Sequence, residues 1–182
     1  MKTPVLKTDG VTLRGFESSD VNRLAEILSD PVVMRYMPGS RPWPREAAER
    51  EIGKIIEHWN ERGYGRWAVI YGDDLIGWCG IEHLKELGET EVAYLLDKEY
   101  WNRGIATKAA ERSLDFGFEN VGLGRIIALA FPENIASRRV MEKIGMVFEK
   151  MTHIWNLDLV QYQIGLETFR RKKGEVSPEN PE

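Results

Sequence analysis

EVAYLLDKEYWNRGIATKAAERSLDFGFENVGLGRIIALAF, residues 91–131, places two apolar runs on either side of a segment with helical period. Residues 91–96 read as a strand and 97–101 as a short loop. Residues 104–118 read as a helix with Ala106, Ala110, Leu114 and Phe118 on one buried stripe. The run at 126–131 is apolar throughout, which suits a strand covered on both faces. Strand, helix, strand in this order calls for a right-handed crossover and a parallel pair. The loop between the first strand and the helix can bind an anion. Backbone N–H groups at a helix start lack intrahelical partners, and the helix dipole makes that end positive, so phosphates settle there. Gly104 lets a ligand approach the backbone, Ala106 is nearly as small, Thr107 offers a hydroxyl and Arg103 a cation. An ordinary strand-to-helix turn also uses one glycine, so 101–107 alone leaves both readings open.

Upstream, 11–16 reads as a strand, and Ser18, Ser19 and Asp20 offer cap oxygens to a helix carrying Val21, Leu24, Ala25 and Leu28. A second helix follows Pro44, with Ala48, Ile52, Ile55, Ile56 and Trp59 as its stripe and Gly63 at its end. Strands at 67–71 and 75–84 flank a turn at Gly72. Gly77 and Gly80, inside the second strand, predict a bulge or a close backbone approach. Downstream, Asn134 starts a last helix that turns Ala136, Val140 and Ile144 inward and stops at Gly145. Strands at 147–154 and 159–166 close the chain as an antiparallel pair. The pattern predicts one α/β (α+β) domain, residues 1–169, and a charged tail, 170–182, expected to be disordered. Its sheet is mixed and mostly antiparallel, with about seven strands and about four flanking helices. The basic cluster at 170–173 is expected only to solvate the end of the last strand.

The chain has 182 residues, 42% of them hydrophobic, a formal net charge of -4 and one cysteine, Cys79. One cysteine excludes an intramolecular disulfide and any multi-cysteine zinc site, and no metal is expected. The acidic balance argues against general nucleic-acid binding. No apolar run is long enough for a membrane span and the N-terminus has no apolar segment of the signal type, which leads us to expect a cytoplasmic protein. There is no GxxxxGK[ST] and no GxGxxG, so nucleoside-triphosphate and dinucleotide readings lack their loops.

A second signal follows the next strand. Asn134 and Ser137, three apart at a helix start, share a face and can reach a ligand lying between the two parallel strands. Taken with 101–110, WNRGIATKAA, the order and distance resemble the GNAT acyltransferase family and its acetyl-CoA signature, (Q/R)xxGx(G/A). Gly104 and Ala106 match its last two defined positions, whereas Trp101 stands where Gln or Arg is usual. VTLRGFESSD at 11–20 and NIASRRVMEKIGM at 134–146 resemble the RimJ/RimL-type protein N-terminal acetyltransferases within it. The resemblance implies that the strands at 91–96 and 126–131, fourth and fifth in its order, splay apart. Acetyl-CoA then enters the gap, its pantetheine pairing with backbone near Tyr94, Leu95 and Leu96. The turn at Trp101, Asn102, Arg103, Gly104, Ile105, Ala106 and Thr107 takes the pyrophosphate, and Asn134 and Ser137 contact the pantetheine end.

Acetyl transfer to an amine needs a base for the ammonium proton, a donor for the oxyanion and a hydrogen bond or proton for the leaving thiolate. Many members of the family place a tyrosine four residues after the serine; here that residue is Met141, which cannot donate, so the resemblance leaves Ser137 for the thiolate. Glu82, Glu91 and His83 are the candidate bases, Glu82 foremost, with Glu82 and His83 on opposite faces of their strand. Tyr36, Trp43, Trp67, Trp78 and Glu82 are the candidates for the acceptor pocket, Trp43 foremost because it sits in a loop between two prolines. His58, His153 and Cys79 read as structural. The expected partners are acetyl-CoA and a primary amine, either a protein or peptide N-terminus or a small polyamine, amino acid or antibiotic, with no nucleic acid and no membrane. The chain is expected as a monomer or homodimer. A CoA-binding sensor without turnover and an interaction domain without cofactor are the rival readings.

Overall fold

The computed structural model of the chain describes residues 3–174. One sheet of eight strands runs in the order β1-β2-β3-β4-β5-β6-β8-β7. The strands are β1 (Leu6–Thr8), β2 (Val11–Arg14), β3 (Arg66–Tyr71), β4 (Asp74–Leu84), β5 (Glu89–Leu96), β6 (Arg125–Ala130), β7 (Val147–Ile154) and β8 (Leu157–Gly165). The helices are α1 (Val21–Ser29), α2 (Arg45–Arg62), α3 (Ile105–Asp115), α4 (Ile135–Lys143) and α5 (Leu166–Lys172). Every strand pair is antiparallel except β5–β6. That parallel pair meets at Glu91 opposite Ile127, and no further register pair follows among the described residues. The two strands therefore open towards the C-terminal end of β5, as a right-handed crossover through α3 with an incomplete ladder allows.

Gly77 shows why β4 bends there. Val69 pairs with Gly77 but Ile70 pairs with Leu75, so Ile76 is an extra residue and the ladder bulges. Gly77 has φ 145°, and a Cβ on it would collide with the carbonyl of Leu95 on β5. The bulge and close approach expected at this glycine are both present.

The core is continuous across the sheet and its helices. Trp59 of α2, Trp67 of β3 and Phe116, just past α3, pack edge-to-face or tilted at centroid distances of 4.8–5.9 Å. Asp20 is buried, where its carboxylate takes Arg14 at 2.7 Å and the Glu17 N–H at 2.8 Å.

Several boundaries differ from the sequence expectation. β1 adds an eighth strand, because three residues paired with β2 give too short a pattern to read. α5 adds a fifth helix where the tail was expected to begin. Its Phe169 packs on Phe118 at 4.5 Å, and Lys172 and Lys173 bond Glu111, Asp115, Glu119 and the Lys143 carbonyl. Lys172 and Lys173 of the basic cluster thus help to dock this helix, and residues 175–182 of the expected tail lie outside the described residues. α3 stops at Asp115 and passes into a π-helical turn, Phe116–Val121. Its buried residues include Ile105, Ala109 and Ala110, while Ala106 is half-buried. On α4, Met141 is the buried residue, whereas Ala136 is exposed and Val140 half-buried. Ala106, Ala136 and Val140 were expected inward; they face a cleft instead, because the sheet has opened there.

Candidate active site

The turn before α3 is built to present backbone. Asp97 accepts from Glu99 N–H at 3.1 Å and closes a single helical turn over Lys98–Tyr100. Asn102 and Gly104 then adopt left-handed conformations, φ 60° and 75°, so the chain reverses and α3 begins at Ile105. A Cβ on Gly104 would meet nothing within 4 Å, so the space above this helix start is open. Trp101, the residue that departs from the family signature, donates its indole N–H to the Leu96 carbonyl at 2.8 Å. It thereby ties the turn to the last residue of β5, where β6 supplies no register partner.

A cavity of about 490 Å³ lies in the opening. Tyr94, Leu95 and Leu96 of β5 line it, with Trp101, Asn102, Gly104, Ile105, Ala106 and Thr107 at one end. Arg103 does not line it; its guanidinium lies 5.3 Å from the Tyr100 ring centroid. The cations facing the cavity come from α4, Arg139 and Lys143. Their four-residue spacing, on the face of Ala136 and Val140, was the signal for them, and it was hidden while that face was assigned to the core.

Asn134 caps α4 by accepting from the Ser137 N–H at 3.2 Å, and its amide still borders the cavity. The Ser137 hydroxyl lies 3.0 Å from the Tyr94 hydroxyl, which also donates to the Ser137 carbonyl at 3.0 Å. Burial pushes the Tyr94 hydroxyl well above its usual range, so it stays protonated and able to donate. Tyr94 was expected to contribute backbone alone; its side chain reaches across the open β5–β6 gap to α4, a contact no local pattern encodes.

A second cavity, about 200 Å³, adjoins the first. Tyr36, Met37, Tyr94, Asn134 and Ser137 border both. Glu82 and Glu91 line the second cavity and stand directly opposite each other on β4 and β5. Glu82 is paired to Arg66 at 2.9 Å, and Arg66 also bonds Glu51 and lies 4.6 Å from the Trp78 ring centroid. Glu91 has no such salt bridge among the described residues. Enclosure, reinforced by the Glu82 charge and partly offset by Arg66, raises its pKa to about 8.

Of the residues expected around an acceptor, Tyr36, Trp78 and Glu82 line this cavity and Trp43 and Trp67 do not. Trp67 is fully buried in the core and donates to the Pro4 carbonyl. Trp43 packs against the core from its loop, its backbone N–H donating to the Leu28 carbonyl. Both rings are drawn inward by the area they bury. His83 lies off this cavity, its N–H bonded to His58, and desolvation lowers its pKa, followed by nearby Arg62. Trp155, at the β7–β8 turn, lines the cavity and was not among the candidates. Among the described residues no group of three or more His, Cys, Asp and Glu is placed to hold a metal ion, and no helix is long and apolar enough to cross a membrane.

An opened parallel pair, a glycine-led helix start and a serine helix beside them define the architecture of a CoA-dependent acyltransferase. Residues 11–147 match the family model described as Acetyltransferase (GNAT) domain, and the chain belongs to this family. It is therefore an acetyl-CoA-dependent acetyltransferase. YkkB of Bacillus subtilis is 34% identical over 168 residues, covering 87% of this chain and 94% of that one. A spermidine N(1)-acetyltransferase of Escherichia coli is 25% identical over 76% of this chain and 74% of its own. Among solved structures, a GNAT-family acetyltransferase from Bacillus anthracis aligns with a TM-score of 0.78 at 30% identity, covering 90% of this chain and 99% of that one. RimL, a ribosomal L7/L12 alpha-N-protein acetyltransferase solved with coenzyme A, aligns with a TM-score of 0.76 at 15% identity, over 91% of this chain and 99% of its own, a likeness of fold.

Proposed function

We propose that the protein acetylates the N-terminal amine of a protein or peptide, in the cytoplasm, by direct attack with both substrates bound. One observation carries this reading: the cavity led by Gly104 and the cavity floored by Glu82 and Glu91 meet at Tyr94, Asn134 and Ser137. A thioester held in the first faces an amine held in the second, and such positioning supplies much of the rate.

The residues fit acetyl-CoA. The helix start at 102–107 suits the pyrophosphate, the edge of Tyr94–Leu96 that has no register partner on β6 suits the pantetheine amides, and Arg139 and Lys143 add positive charge beside it. The cofactor brings an activated acyl group. Glu91, with a pKa near that of an α-amine, takes the ammonium proton, while Glu82 is held to Arg66. Ser137 and Tyr94 form the hydrogen-bond pair nearest the leaving sulfur. A serine hydroxyl is too weak an acid to protonate a thiolate readily, so its part is to donate a hydrogen bond.

A small polyamine is the second reading, favoured by the spermidine-acetylating relative. A thiol-release assay with acetyl-CoA against N-terminal peptides, spermidine, amino acids and aminoglycosides decides between them. We expect peptides to give the highest kcat/KM. Faster release with spermidine than with any peptide would overturn the first reading in favour of the second.

A further inference from the structure

Ile154 pairs with Leu157, so Trp155 and Asn156 are a two-residue turn between β7 and β8. Both have positive φ, 52° and 60°. A turn of this shape takes Asn and Gly readily, and Asn156 fits it. Trp155 does not, since a bulky ring in the left-handed region is strained and persists where its surroundings over-determine it. Burial does not account for it either, because the residue is 42% exposed. Its ring instead borders the cavity that holds Glu82 and Glu91, next to Leu157 and Leu159. Its indole N–H donates to Glu86 at 3.2 Å, in the turn that joins β4 to β5. Two hairpin tips, 69 positions apart, are thus tied together beside the carboxylates.

We propose that Trp155 is the specificity-determining residue for the acceptor, forming with Leu157 and Leu159 an apolar wall that selects amines carrying an apolar side chain next to the nitrogen. An amine directed at Glu91 lays its carbon body against this wall. The bond to Glu86 fixes the ring there, so the strain in the turn is retained for recognition. This inference rests on the transferase reading above and names the acceptor class for the same site.

The test compares Leu-Ala-Ala amide with Gly-Ala-Ala amide as acceptors at saturating acetyl-CoA, in the full chain and in Trp155→Gly and Trp155→Phe. Spermidine is assayed beside them, and acetyl-CoA binding is followed by calorimetry. The wild type is expected to favour the leucyl peptide by about tenfold in kcat/KM, the scale of one buried aliphatic side chain. Trp155→Gly brings the ratio to within about twofold of unity and leaves acetyl-CoA affinity unchanged. Its Tm stays within about 4 °C, because glycine relieves the left-handed turn as the ring is lost. Trp155→Phe keeps most of the preference. An unchanged ratio in Trp155→Gly overturns the proposal alone, and so does a large fall in Tm with the ratio intact. A wild type that binds acetyl-CoA but acetylates neither peptide overturns the N-terminal-amine reading and this inference with it.

Discussion

Glu91 is held protonated up to about pH 8 because its carboxyl is enclosed and faces the charge of Glu82, with Arg66 committed to Glu82 and Glu51. A carboxyl whose folded pKa lies above its unfolded one stabilises the fold fully at low pH. That contribution is lost as pH rises from about 4.5 towards about 8. Activity runs the other way, since a base works once its proton has gone. We expect kcat to rise with pH, to be half-maximal near about 8 and to level off above it. Glu91→Gln should lower kcat roughly a hundredfold and flatten that rise. The check is kcat against pH for both proteins, and equal profiles would remove Glu91 from the chemistry. Ser137→Ala should lower turnover while leaving acetyl-CoA affinity within about twofold, and Tyr94→Phe should do the same less severely. Single-turnover rates beside calorimetric affinities separate these effects. Wild-type turnover in Ser137→Ala would show that the hydroxyl has no chemical part.

At the scale of elements, the opening between β5 and β6 sets everything else. The bulge at Ile76, the close approach of Gly77 to β5 and the indole bond from Trp101 to Leu96 all act on the end of β5. They leave its outer edge and the start of α3 available to a ligand. Gly104→Trp should weaken acetyl-CoA binding at least about tenfold, because the side chain fills the open space above the helix start. It also strains a left-handed position, so circular dichroism must show a folded protein. Unchanged affinity in that folded variant would end the assignment of this turn. The strand-helix-strand order of 91–131 was legible because period and turn chemistry are local. The facing of α4 was not: Ala136 and Val140 look like core in any helical pattern, and only the opened sheet puts them on a cleft. Trp43 and Trp67 failed as pocket residues for a related reason, since sequence shows a large ring but not which side of the sheet buries it.

Across the whole molecule, α5 ties together the two helices that flank the cleft. Phe169 packs on the turn following α3, Lys172 bonds Glu111 on α3 and the Lys143 carbonyl on α4, and Lys173 pairs with Asp115 and Glu119. Phe169 is 5% exposed, and Phe169→Ala should cost about 3–5 kcal/mol by leaving a cavity between α5 and the turn that follows α3. Urea denaturation measures this, and a loss below about 1 kcal/mol would mean that α5 is dispensable to the fold.

The sequence by itself determined the order of the elements from β2 to β8, the parallel crossover, the glycine turn, the Asn134 and Ser137 helix and the pair of carboxylates. Each of these rests on residues close together in the chain, where period, backbone freedom and side-chain chemistry act directly. Only the tertiary structure decided that the Tyr94 hydroxyl meets Ser137, that Arg66 takes Glu82 rather than Glu91, and that Trp155 borders the cavity of the two carboxylates. Those partners lie on different strands and helices, and what brings them together is the packing of the sheet, which no local stretch of sequence records.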